Sequence, residues 1–323
     1  MVKISEPFTY EGPPAPLDRV LREAYDLSWN QARALVRSGK VTVDGAPRLV
    51  IDQLVRPGSA VAVQMNAPRV RPGGGGARRL TAADVVFCDA QLVVVRKPAG
   101  IATIPWQDEP GPTLDELVRT WLGAKEKRRG VLAPLGVVHR LDKETSGLIV
   151  FTRTWAAKKS LSSQFRFHTV HRRYLAVVHG HLAARTIRSS LVDDRGDGLR
   201  GSARRGQQGG RPAVTHVEPL ETFGRAGDAE AATLVACRLE TGRTHQIRIH
   251  LSEAGHPIVG ERVYIRGWAG TPIPAPRLML HAAELGFTHP VSGGELRFEE
   301  PMPDDMRALV RELTSRGTTS PRP

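Results

Sequence analysis

Residues 66–79, NAPRVRPGGGGARR, hold four consecutive glycines, two prolines and four arginines with no apolar period. No such run can enter a core, so it reads as a flexible basic linker that divides the 323-residue chain into two folding units. It is not a phosphate-cradling loop, because no Gly-Lys-Ser/Thr follows it. Before it, residues 17–65 read as a small α/β unit behind an N-terminal extension, 1–16. Val20, Leu21, Ala24 and Leu27 recur at helical spacing, and so do Ala32, Leu35 and Val36, with Gly39 as the expected stop. Val41 and Val43 then alternate into Asp44-Gly45, a hairpin turn in which both positions need positive φ. Arg33 and Arg37, one turn apart, and Lys40 form a basic edge; on spacing alone this could be a solvated face.

After the linker, residues 80–314 are strand-rich. VVFCD, QLVVVRK, GLIVFTR, RRYLAVVHG, AVTHVEPL, ATLVACRLE and ELRFEE read as strands, and TLDELVRTWLGA, TWAAKKSLSSQF and HQIRIHLSEAG as helices. The mixture predicts an α+β fold, a mostly antiparallel mixed sheet flanked by helices and loops. Residues 193–212 read as a mobile loop and 315–323 as a disordered tail.

Lys and Arg total 46 against 33 Asp and Glu, a net charge of +13, which suits a polyanionic partner such as nucleic acid or an anionic membrane surface. No stretch approaches the ~18 apolar residues that span a bilayer, and MVKISEPFTYEGPP lacks the apolar core of a secretory signal. A cytoplasmic setting is expected. Cys88 and Cys237 sit in apolar strings and read as reduced core thiols, and the 11 histidines show no ligand spacing, so no metal is expected.

VVHRLDKETSGLIVFTR, residues 137–153, sets Asp142 between Arg140 and Lys143 on a turn that feeds an apolar strand. At neutral pH that carboxylate is an anion available as nucleophile, base or salt-bridge partner. In LETGRTHQIRIHLSEAG, residues 239–255, Thr244 is the expected cap, Ile247 and Leu251 an apolar stripe, and His245 and Arg248, three apart, another face. Tyr174 falls on a sheet face beside core residues, where a purely structural tyrosine is equally consistent.

HRLDKETSGL, VRKPAG, RRYLAVVHG, ETGRTHQIRIHL, GHPIVGE and RLMLHAAELGFTHP together resemble, over residues 84 to about 305, the RluA family of RNA pseudouridine synthases. The N-terminal block resembles a small RNA-binding domain found in a ribosomal small-subunit protein. This likeness implies Asp142 as catalytic aspartate, Arg248 as its ion-pair partner, Tyr174 as the tyrosine under the uracil, and Arg140 as the residue that enters the stack when the target uridine leaves. It also implies RNA contacts for His139, Lys97, Arg243 and His245, and for Arg33, Arg37 and Lys40. His139 favours this family over the small-subunit-type synthases, which usually carry Gly there. Arg172 stands where the family often has Lys, and Glu261 where Asp commonly follows "PIVG"; both keep charge.

The implied reaction breaks the bond from C1′ to N1 of uracil, turns the base and joins C1′ to C5. Nothing is oxidised or added, so no cofactor is expected. A stacked uridine must first be extruded, at a cost of roughly a few kcal/mol. The partner expected is structured RNA, large-subunit ribosomal RNA first and transfer RNA second, with no DNA or membrane, and a monomeric enzyme. Two rivals remain open at this level: a non-catalytic RNA-binding or ribosome-assembly protein, and a glycoside-cleaving enzyme pairing Asp142 with Glu144.

Overall fold

In the computed structural model of the chain, the residues described are 6–37, 40–48, 54–64, 79–105, 111–127, 133–196, 198–204, 206–225 and 227–317. The expected linker, the Gly39 stop and residues 318–323 lie outside them, apart from Arg79. Two compact units result, Met1–Arg79 with Ile104–Thr113, and Leu80–Thr103 with Leu114–Pro323. No helix among the described residues is long and apolar enough to cross a membrane.

In the first unit, helices Leu17–Tyr25 and Trp29–Arg37 lie in the chain between the first strand, Phe8–Tyr10, and the other three strands of a four-stranded sheet. Asp44 and Gly45 adopt φ values of 53° and 75° between strands Val41–Val43 and Ala46–Pro47, the hairpin that their sequence dictates. Leu17, Val20, Leu21, Val36, Val41 and Val61 form the core. One expectation is corrected: residues 1–16 are not a mere extension, because Phe8–Tyr10 pairs with Ser59–Val61 and Ala15–Pro16 with Leu54–Val55.

The second unit is built on one eleven-stranded sheet. Its main path runs Gly201–Ser202, Arg185–Val192, Arg211–Phe223, Ala232–Leu239, His171–His179, Leu280–Thr288, Ser146–Thr152, Leu92–Lys97 and Val85–Cys88. Among the described strand pairs only Ser146–Thr152 against Leu280–Thr288 is parallel, with Gly147 opposite Ala282. Period-two alternation sends Val93, Val95, Ile149 and Phe151 into the larger core and Leu92, Val94, Leu148 and Val150 into a smaller one. Helix Trp155–Arg166 packs on the smaller core through Leu161; helices Leu114–Lys125, Gln246–Glu253 and Asp304–Gly317 pack on the larger.

Two loop expectations fail here. Gly201–Ser202 pairs with Leu191–Val192, so 193–212 is partly sheet, and the last helix continues to Gly317, past the expected start of a tail at 315.

Glu284 ties three strands together: it accepts from Arg173 (2.8 Å) and Arg297 (2.6 Å) and meets His171 Nε2 at 2.9 Å. Burial pushes its carboxyl up, but the hydrogen bonds from Arg297, His171 and Arg173 outweigh that and bring it from 4.5 down to about 2. A depressed carboxylate contributes stability that is complete above its ordinary value and is lost as pH falls through the folded one. Denaturant midpoints should therefore drop between pH 4.5 and about 2 more steeply for wild type than for Glu284→Gln, which starts less stable at neutral pH. Parallel curves for the two proteins would remove Glu284 from the account of acid stability.

Candidate active site

Asp142 sits on a turn that is clamped from both sides. Upstream, Thr103 Oγ1 donates to the Leu141 carbonyl (2.8 Å) and accepts from the Leu141 N–H (3.1 Å). Downstream, the Gly100 N–H donates to the Lys143 carbonyl at 2.8 Å, and Lys97 Nζ donates to the carbonyls of Lys143 (2.8 Å), Thr145 (2.7 Å) and Pro98 (3.0 Å). The Asp142 carbonyl accepts from the Thr145 N–H, closing the turn. Gly147 then enters the sheet at φ +116°, where a Cβ would lie 2.2 Å from the Ala282 carbonyl oxygen, so only glycine allows the parallel strands this approach.

This corrects the expectation for Lys97. Its side chain is 1% exposed and its ammonium is committed to the backbone, so it holds the turn and does not touch RNA.

Facing the turn, Arg248 Nη1 lies 3.5 Å from Asp142 Oδ2. The other edge of the guanidinium makes two 2.7 Å hydrogen bonds to Glu261, whose side chain is fully buried. Glu261 also accepts from the backbone N–H groups of Val263 (2.8 Å) and Arg262 (3.0 Å). Burial pushes the Glu261 carboxyl up, but Arg248 and the N–H groups of Val263 and Tyr264 hold it below its ordinary range. Gly260, at φ +83°, delivers Glu261 to this position; a Cβ there would lie 1.9 Å from the Arg277 carbonyl oxygen.

His245 is not on the helix face that its spacing suggested. It precedes helix Gln246–Glu253 in the left-handed region, φ 57°, and Thr244 is not the cap; instead Gln246 Oε1 accepts from Arg243 N–H and Thr241 Oγ1. That kink still brings His245 Nε2 to 3.9 Å from Asp142 Oδ1, while Nδ1 meets the Tyr264 hydroxyl at 2.7 Å. Burial lowers the His245 pKa despite the opposing pull of Asp142. Tyr264, which sequence reasoning missed, also lies under the Arg248 guanidinium, 5.2 Å from ring centroid to Cζ, and burial pushes its phenol up to about 12.

Tyr174 is buried in the larger core and close enough to Asp142 for that charge to act on it; burial chiefly raises its phenol pKa, Arg172 opposes and Asp142 adds. A register shift against Leu280–Thr288 falls between Arg173 and Tyr174, an irregularity of the kind that re-aims neighbouring side chains. Arg172 is buried too, its guanidinium 5.5 Å from the Phe165 ring and donating to the Glu240 carbonyl.

His139 is half-buried. Its ring stacks on Phe165 (4.6 Å, 24°), and its Nε2 accepts the Val150 N–H at 3.2 Å. Burial, aided by Arg172, pushes its pKa down to about 3, as an acceptor nitrogen requires. The residue braces the turn from its half-buried position. Arg140, next to it, is exposed and among the described residues has no hydrogen-bond or ion-pair partner. Arg243 donates from Nε to the Pro212 carbonyl (3.1 Å). In the first unit Arg33 pairs with Asp18 (2.9 Å) and lies over Trp29, Lys40 is half-buried, and the Arg37 side chain lies outside the described residues.

A carboxylate on a clamped turn, a guanidinium fixed by a second, buried carboxylate, and a tyrosine packed under that guanidinium suit chemistry at a centre where charge develops. Glu144, by contrast, is exposed and Asp142's neighbour is a cation, which argues against a two-carboxylate glycosidase.

The fold is that of the pseudouridine synthases. Human RNA pseudouridylate synthase domain containing 4 superposes with a TM-score of 0.57 at 22% identity, over 72% of this chain and 93% of that one. The family model described as RNA pseudouridylate synthase matches residues 91–253. A ribosomal large subunit pseudouridine synthase D from Zymomonas mobilis is 35% identical across 92% of this chain and 93% of its own length. An uncharacterised RNA pseudouridine synthase of Bacillus subtilis is 35% identical, covering 90% and 91%. The chain belongs to the RluA family of RNA pseudouridine synthases, and it is an isomerase acting on uridine in RNA.

Proposed function

We propose that this enzyme isomerises uridines of large-subunit ribosomal RNA, with Asp142 as the catalytic carboxylate. The single observation that carries the site assignment is the ladder Asp142–Arg248–Glu261: one guanidinium edge is locked at 2.7 Å while the other is offered to Asp142 at 3.5 Å. Arg248 thereby faces the carboxylate with a fixed guanidinium edge and is not free to swing away. The Tyr174 ring offers the detached uracil a flat apolar surface on which it can turn. Arg140, exposed and unpartnered among the described residues, suits the gap left by the extruded nucleotide, where its guanidinium plane stacks on the neighbours.

The ribosomal substrate is favoured by the name of relatives such as the Zymomonas mobilis large-subunit synthase, similar along nearly the whole chain. The +13 charge fits a large structured RNA, and binding should weaken as salt rises. Pseudouridine mapping across large-subunit ribosomal and transfer RNA, from cells with and without the gene, tests this reading. Loss of one or more ribosomal pseudouridines is expected on deletion; losses confined to transfer RNA would transfer the substrate assignment there.

A further inference from the structure

Helix Trp155–Arg166 carries a face that no described residue covers. Ala157 and Leu161 are its buried positions, and Phe165 packs beside them. At 3.6 residues per turn the opposite stripe is Trp155, Lys159, Ser162 and Arg166, and all four are exposed. Trp155 keeps 76% of its surface open and Phe167, just past the helix, 69%. Large aromatics left this open at both ends of one stripe need an explanation.

The chemistry around them selects a partner. Residues 155–166 contain Lys158, Lys159 and Arg166 and no carboxylate, and the Arg166 guanidinium lies 5.9 Å from the Phe167 ring centroid. No exposed aliphatic side chain lies on the stripe, as a protein-docking patch would want. Flat rings alternating with cations instead match a nucleic-acid strand, whose bases stack while its phosphates are neutralised.

The mount is rigid. Thr154 Oγ1 caps the helix by accepting the Ala157 N–H, and Gln164 exchanges two hydrogen bonds with the Thr288 backbone, at 2.8 and 2.9 Å. On its inner side Phe165 stacks on His139, three residues before Asp142. Three residues of chain reach at most about 10 Å. One helix diameter adds roughly 10–12 Å. The Phe167 end of the open face therefore lies within about seven stacked nucleotides of the catalytic turn, at ~3.4 Å each, and Trp155, roughly 15 Å back along the helix, within about eleven.

We propose that this face is a second RNA-contact surface, on which unpaired bases flanking the target uridine stack against Trp155 and Phe167 while Lys159 and Arg166 hold the adjoining phosphates. The inference rests on the chain acting on RNA, not on which RNA it modifies.

The test uses the full-length protein and any transcript that the wild type modifies, in a long form and in a form trimmed close to the target uridine. Trp155→Ala/Phe167→Ala should raise KM for the long transcript about tenfold or more, with kcat little changed, and leave the trimmed one unaffected. Lys159→Gln/Arg166→Gln should reduce the salt dependence of binding by roughly one to two phosphate contacts. Unchanged KM on the long transcript, as expected if the face serves a protein partner, would overturn the proposal, as would equal losses on both transcripts. Wild-type turnover of the chosen transcript is measured alongside, so an error in the ribosomal assignment shows up separately as a failure of the wild type on that RNA.

Discussion

Asp142→Asn will lower the rate of pseudouridine formation by at least roughly 10²–10⁴-fold, the contribution expected of a positioned acid–base or nucleophilic group. The substitution keeps the size and hydrogen-bonding shape of the side chain and removes only its charge. RNA affinity should stay within about twofold, because binding draws on many phosphate contacts. Stability should also hold. Arg248 retains its two hydrogen bonds to Glu261, so no buried cation is stranded, and the Asp142 side chain is itself 24% exposed. The measurement is tritium release from C5-labelled uridine in RNA, beside filter binding and thermal unfolding of the same variant. Residual turnover within tenfold of wild type would remove Asp142 from the chemistry. A wild type that binds RNA tightly yet never forms pseudouridine would instead favour a binding protein, and free uracil as product would favour hydrolysis.

Most of the sheet was legible because its strands alternate. Val93 and Val95 face one core and Leu92 and Val94 the other, which makes the string readable without any partner. The same parity sends Lys97 inward with Val93 and Val95, so its burial was available in the sequence; the three carbonyls that receive it were not, since they come from the neighbouring turn. The central strand Leu280–Thr288 escaped because LHAAELGFT mixes small, polar and apolar residues, and its burial is imposed by neighbours on both edges. Arg185–Val192 is a strand by pairing with Arg211–Val217, not by pattern. The last helix could have been found: Met306, Leu309 and Leu313 recur at helical spacing after Asp304 and Asp305.

At the site the acid and its cation were visible as motif residues, and their meeting at 3.5 Å is a tertiary fact. His245 misled because helical spacing was extended one residue too far, into a left-handed position. Glu261 was noticed only as a replacement for Asp, and Tyr264 not at all, because both lie in an irregular turn where no periodicity marks burial.

Glu261→Ala should be the most damaging change outside the turn. It leaves the Arg248 guanidinium, only 11% exposed, without the partner that satisfies two of its N–H groups. Breaking a buried pair from one side costs about 3–5 kcal/mol. In a unit of this size that is a melting midpoint lower by roughly 10 °C. The consequence for catalysis is distinct: released from Glu261, Arg248 is free to close on Asp142 as its sole counter-ion, so kcat should fall in the fraction that stays folded. Glu261→Asp, which restores the residue common at this position in the family, keeps the charge at the end of a shorter arm and should recover most of the stability. Glu261→Gln separates charge from shape. Because the Glu261 carboxyl is held below its ordinary range, its contribution is complete above about pH 4.5 and fades as pH falls below that, so wild type and Glu261→Gln should converge in acid and diverge at neutral pH. Thermal melts across that range, with single-turnover rates at pH 7, test both halves. An alanine variant as stable and as fast as wild type would mean that Arg248 is positioned by the helix alone, and the ladder would then have no part in holding the aspartate's partner in place.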